Sequence, residues 1–211
     1  MDALDVLTAM VLVVVAVRVG TGTRLALSRD GRRRLHEIWR GVRVRHFVLA
    51  FPALVVVATA VIVLASLPVL SWGWWTAIGG IGNPVTGGTE RTAGTALEWL
   101  VPAVMILLLL PALPLFAEAE ERMFRLGSEL RTAWGRVGKG VQFGLTHAII
   151  GIPVGAALGL SVGGWYFTWA YMRRWRATGS RHEAMLESTR THLAYNVVVV
   201  GVIAVILLAF P

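Results

Sequence analysis

The sequence predicts an all-α fold, a polytopic membrane helix bundle of about six transmembrane helices with both termini outside. Three observations carry that prediction. The 211 residues are 56% hydrophobic and only 15% charged, with a mean hydropathy of +0.68, more apolar than a soluble domain of this size needs to be. The apolar residues gather into runs of span length, and lipid obliges each run to satisfy its own backbone as a helix. The basic residues gather at the ends of those runs, which fixes those ends on the cytoplasmic side.

The elements follow in order. Span one covers residues 3 to 20, with Asp2 and Asp5 ahead of its apolar run and arginines following that run. That is the reverse of a cleavable signal peptide, so this span enters from outside and stays in the mature chain. The connection that follows carries Arg24, Arg29, Arg32, Arg33, Arg34, Arg40, Arg43 and Arg45. Span two, 47 to 70, returns to the outside, where Trp72, Trp74 and Trp75 read as an interfacial aromatic belt. Gly79 to Thr95 is an external loop rich in Gly and Thr. Span three, 97 to 117, comes back to the cytoplasm and delivers Glu120 and Glu121 there, beside Arg122 and Arg125.

The stretch from Val141 to Trp175 barely allows two crossings at about 1.5 Å rise per residue. A tight hairpin turning at Gly151-Ile152-Pro153-Val154-Gly155 accommodates it, and a single kinked re-entrant helix remains the alternative. Gly151, Gly155, Gly159 and Gly163 recur every four residues, which on a continuous helix makes one small-residue packing face. A long basic connection from Arg173 to Arg190 leads to the last span, 191 to 209, running outward. The chain is thus one membrane-embedded domain, 1–211. Residues 1–94 supply two N-terminal spans with a basic cytoplasmic loop, and 95–211 supply a four-span core.

A net charge of +8 does not point to nucleic acid here, because span-end clusters are already explained by topology. The run from Arg29 to Arg45 is instead expected to touch anionic lipid head groups. The absence of cysteine excludes disulfides, thiolate metal sites and a cysteine nucleophile. Chemistry must come from carboxylates, imidazoles, amides and hydroxyls. The Arg-rich, Ala-rich and Val-rich composition suits a bacterial GC-rich genome, and the expected location is the inner (cytoplasmic) membrane, multi-pass.

The predicted topology brings polar residues of three spans to a similar depth near the cytoplasmic face: Glu120 and Glu121, then His147, then His192 and Asn196. Residues four apart share a helix face, so Phe143 lies beneath His147, His192 lies beside Asn196, and Glu121 can reach Arg125. Each member alone has an ordinary explanation. A Glu–Arg pair at a helix end is commonly a weak surface salt bridge, and an Asn in a span often only ties two helices together. Their shared depth is what makes the set a candidate site, since ionisable groups at membrane depth are costly.

In chain order these groups read Glu120-Glu121-x-x-x-Arg125, Phe143-x-x-x-His147 and His192-x-x-x-Asn196. Over residues 95 to 205 the pattern resembles the CPBP (Abi) family of intramembrane proteases, related to type II CAAX-prenyl endopeptidases. The resemblance implies that Glu120 activates the attacking water with help from His147. It also implies that His192 and Asn196 hold the developing oxyanion, while Glu121 and Arg125 orient the site in a supporting role, with Phe143 beneath His147. The implied substrate is a membrane-associated peptide or protein. No cofactor is required by the sequence. Zinc stays open, with Glu120, His147 and His192 as its three ligands, although no His-Glu-x-x-His pattern calls for it. Two rival readings are a catalytically silent immunity or partner-binding protein of the same family, and a proton relay through Glu120 and His147.

Overall fold

The computed structural model describes residues 3–80, 94–96, 100 and 110–209. Most of the expected external loop and most of span three therefore lie outside the described residues. Among the described residues every regular element is helical.

Helix α1 runs Ala3–Leu27, longer than the expected span, and passes through Gly20-Thr21-Gly22 without a break. Thr21 folds its hydroxyl back onto the carbonyls of Val17 (2.8 Å) and Arg18 (2.9 Å), so its polar group is satisfied within the helix. The basic connection is itself largely a helix, α2, Arg29–Arg40, whose N-cap Ser28 accepts from the Gly31 N–H. Its apolar contact is Ile38, which meets Leu113 and Leu193 in a small core. Arg190 donates to the Glu37 carbonyl (2.9 Å) and the Ile38 carbonyl (3.1 Å), closing the C-terminal end of α2.

Helix α3 is Val44–Ala65. Together with α8, Arg181–Ala209, it is long and apolar enough to cross a membrane. The two differ in surroundings: 11% of the apolar window of α3 is buried inside the protein, against 44% for α8. A core helix of a soluble protein would be mostly covered, whereas α3 leaves Val48, Phe51, Val55, Val56, Ile62 and Val63 exposed.

The three tryptophans after α3 do not form one exposed belt. A single-turn helix α4, Trp74–Ala77, buries Trp75 to 3% exposure while Trp72 stays outside. Trp74 donates from Nε1 to the Ala148 carbonyl (2.9 Å). This segment also accepts the first N–H groups of a later helix, Val154 onto Trp72 O (2.9 Å) and Gly155 onto Leu70 O (2.8 Å), which have no partner within their own helix.

Helix α5, Leu113–Phe124, begins with Pro114 in its first turn, where a missing N–H costs nothing. Beyond its end the chain turns at Gly127, φ 78°. Arg131 donates to Phe124 O (2.7 Å) and Leu126 O (3.1 Å), and Arg136 to Ser128 O (3.0 Å), so this basic cluster caps a helix terminus. Helix α6, Ala133–Thr146, starts at Thr132, whose hydroxyl accepts from Gly135.

The segment 141–175 is two helices. A 3₁₀ turn, His147–Ile150, ends at Gly151 with φ 87°, a left-handed conformation that glycine adopts without strain. Helix α7, Val154–Thr178, follows. Room for both comes from borrowing sequence at each end, because α6 begins before 141 and α7 continues past 175. Gly140 meets Trp165, and Gly144 meets Ala157 and Ser161, so the two helices run antiparallel. The glycine face forms only in part. Gly151 makes the turn, while Gly155 and Gly159 bring α7 against the backbone of α3, where a Cβ would lie 2.2 Å from Leu64 O and 2.6 Å from Val61 Cα.

The long basic connection between Arg173 and Arg190 is also corrected. Helix α7 carries on to Thr178, Gly179 turns at φ 65°, and α8 begins at Arg181. The charges there are helical because they are paired: Arg174 with Glu183 (2.7 Å), and Arg173 with Glu187 (3.2 Å). Helix α7 lies at the middle of the described bundle, packed on α6, α3 and α8.

Candidate active site

The last turn of α5 presents adjacent glutamates to different surroundings. Successive residues are about 100° apart around a helix, so one faces inward and the next cannot. Glu121 is fully buried. It accepts from His192 Nδ1 (2.9 Å) and from the Ser188 hydroxyl, and Arg125 Nε lies 3.5 Å away. Glu120 is 38% exposed at its side chain, with Oε2 3.7 Å from His192 Nε2. That gap is too long for a direct hydrogen bond, so the two groups face each other as a loose pair.

Both imidazoles are held the same way. His192 gives its Nδ1–H to Glu121, and His147 gives its Nδ1–H to the Phe143 carbonyl (2.9 Å), so in each ring Nε2 is the atom left for chemistry. His192 is stacked on Phe167 (centroids 4.1 Å, interplanar angle 17°). Phe143 is the common neighbour, edge-on to His147 at 5.0 Å and to His192 at 5.7 Å. The expectation that Phe143 lies beneath His147 is met, and the ring also joins the two histidines.

Arg125 is buried completely. It donates to Gly164 O (2.9 Å) and lies 4.4 Å over the Phe143 ring, while its Nε and Nη1 have no hydrogen-bond partner. Its charge is met by Glu121 and by the negative faces of the surrounding phenylalanines. Glu121 and Arg125 therefore both lie inside the protein, behind His192.

The remaining predicted residues are less tightly gathered. His147 is half-buried and reaches the glutamates through Phe143 and His192, with no ion pair to either. Asn196 lies one turn beyond His192, half-buried, and its side chain makes no hydrogen bond among the described residues. Among the described residues no three His, Asp or Glu side chains could hold a metal ion together, so Glu120, His147 and His192 do not form a ligand set in this arrangement.

Sequence reasoning missed two residues that build the site. Ser188, fully buried, lies between the Glu121 carboxylate and the Phe167 carbonyl (2.9 Å), and Phe167 supports the His192 ring. The signal for Ser188 was its spacing, four residues before His192 and so on the same face of α8. Compared with protein-family models, with curated proteins and with solved structures, the chain matches none.

Proposed function

We propose that the chain is a multi-pass protein of the cytoplasmic membrane, with six spans and both termini outside, and that it is a CPBP-type intramembrane endopeptidase. The observation that carries this reading is the buried relay of Ser188 and Arg125 to Glu121, and of Glu121 to His192 Nδ1, which leaves His192 Nε2 facing the half-exposed Glu120. The exposed apolar surface of α3 supports a lipid environment.

In this mechanism Glu120 takes a proton from water, and the oxygen adds to the scissile carbonyl. His147 Nε2 shares that work. The tetrahedral oxyanion is held by His192 Nε2–H, whose positive charge the Glu121 carboxylate supports, and by the Asn196 amide. Such a donor is typically worth about 2.7 to 4 kcal/mol in the transition state. The proton held by Glu120 then passes to the leaving amine as the C–N bond breaks.

Cleavage of a membrane-tethered reporter tests the reading. Glu120→Ala and His147→Ala are each expected to abolish cutting, by about 10²-fold or more, while the proteins still insert and accumulate. Wild-type rates in both would remove the protease assignment. A second reading, partner binding without catalysis, is favoured by the separation of His147 from the glutamates. It predicts that Glu120→Gln retains function, which the protease reading forbids. For topology, a reporter fused after Pro211 is expected outside.

A further inference from the structure

A second polar cluster lies on α8, one residue before Ser188, and the peptidase reading does not use it. Glu187 is 4% exposed. Its Oε1 accepts from Arg45 Nη2 of α3 (2.9 Å) and Arg173 Nη2 of α7 (3.2 Å), and His46 Nε2 lies 3.5 Å away. The Nδ1 of His46 accepts the Arg43 backbone N–H (2.9 Å), which fixes the ring beside the carboxylate. Two guanidiniums thus share one carboxylate oxygen, leaving one positive charge in excess.

Both arginine side chains are 46% exposed. Each guanidinium has five N–H donors, and the contact with Glu187 uses only part of each fork. Arg173 also lies 4.9 Å over the Trp169 ring. The surroundings place the pair at a boundary. On α3, exposed Val48 and Phe51 follow Arg45, and on α7, exposed Trp165 and Trp169 precede Arg173. Apolar surface gives way to charge at the same level on two neighbouring helices, with tryptophan at the border, which is the depth of lipid head groups.

We propose that Arg45 and Arg173, with Trp169 beside them, bind the phosphate of an anionic phospholipid in the cytoplasmic leaflet. Glu187 holds the two forks together from within, and the phosphate offsets the charge that Glu187 leaves uncompensated. The site rests on the membrane assignment alone and not on proteolysis. It also separates these two residues from Arg29, Arg32, Arg33 and Arg40, which are exposed along α2 and share no common acceptor.

The test uses the full chain in detergent, titrated with phosphatidylglycerol, phosphatidylcholine or inorganic phosphate, and reads lipid retention by native mass spectrometry and the melting temperature. Phosphatidylglycerol is expected to be retained and to raise the melting temperature, and phosphatidylcholine to do neither. R45Q/R173Q should weaken retention by about tenfold or more, while R32Q/R33Q leaves it unchanged. Because the glutamine pair also removes partners of Glu187, R45K/R173K is measured beside it. Lysine keeps the charge and loses the fork, so intermediate retention is expected. Equal retention by wild type and both double variants overturns the site, as does equal binding of phosphatidylcholine. Stabilisation by inorganic phosphate alone overturns the lipid as its ligand in favour of a free anion.

Discussion

Two carboxylates anchor α8 to its neighbours at almost the same height, and they do so with different partners. Glu121, reached through Ser188 and His192, draws on groups that are all buried, Arg125 included. Glu187, the residue before Ser188, draws on Arg45 and Arg173, which are both about half exposed. The first cluster has no water to fall back on. The second can exchange a protein partner for water or for a phosphate. The difference separates a fixed frame, suited to holding an imidazole in one orientation, from a rim suited to meeting something outside.

The largest effect that would break this comparison is at the inner pair. Arg125→Ala takes from the fully buried Glu121 its guanidinium partner, leaving only the Ser188 and His192 hydrogen bonds, and removing one partner of a buried pair typically costs about 3 to 5 kcal/mol. Unfolding in detergent should show that loss. Glu120→Ala, one residue from the anchor but 38% exposed and 3.7 Å from its nearest ionic partner, should stay within about 0.5 kcal/mol of wild type. If the two variants melt together, the division between the buried anchor and its half-exposed neighbour is wrong.

A smaller effect is expected at the rim. Arg45→Gln should cost at most about 1 kcal/mol, because Arg45 itself is half-exposed and the buried Glu187 keeps Arg173 as a partner. A loss there as large as that of Arg125→Ala would mean that both clusters are structural frames. A double-mutant cycle between Arg45 and Arg125 should show additivity within about 0.5 kcal/mol, since the two side chains share no partner.

The inner cluster was far more legible in sequence than the rim. Glu121 with Arg125, and Phe143 with His147, are each four residues apart within one helix, so helical periodicity alone pairs them. Ser188 shares that spacing with His192 but carries no charge to draw notice. The rim joins Arg45 to Glu187 across 142 positions, and no local rule reaches so far. Separations of only 9 and 14 positions, across the turn at Gly179, were enough to mislead the reading of Arg173 to Arg190. Unpaired, that stretch is too polar for helix in a membrane setting. Paired across helices with Glu183 and Glu187, it continues α7 and starts α8.

A third carboxylate sharpens the comparison and carries the smallest effect. Glu129 lies in the short turn between α5 and α6, outside the spans. It accepts from the Tyr171 hydroxyl (2.8 Å) and from Arg181 Nε. Burial pushes its pKa upward, but hydrogen bonds from its own backbone, from Tyr171 and from Arg181, together with the Arg181 charge, outweigh this and hold it below the ordinary 4.5. A carboxyl group whose pKa is depressed by folding contributes stability above its unfolded value, and loses it as pH falls through the folded one. The stability gap between wild type and Glu129→Gln should therefore be constant from neutral pH down to about 4.5 and close on further acidification. Melting temperatures of the two proteins across pH 7 to 3 measure it. A gap that widens in acid would mean that folding raises this pKa, and that Glu129 belongs with carboxylates held against their charge.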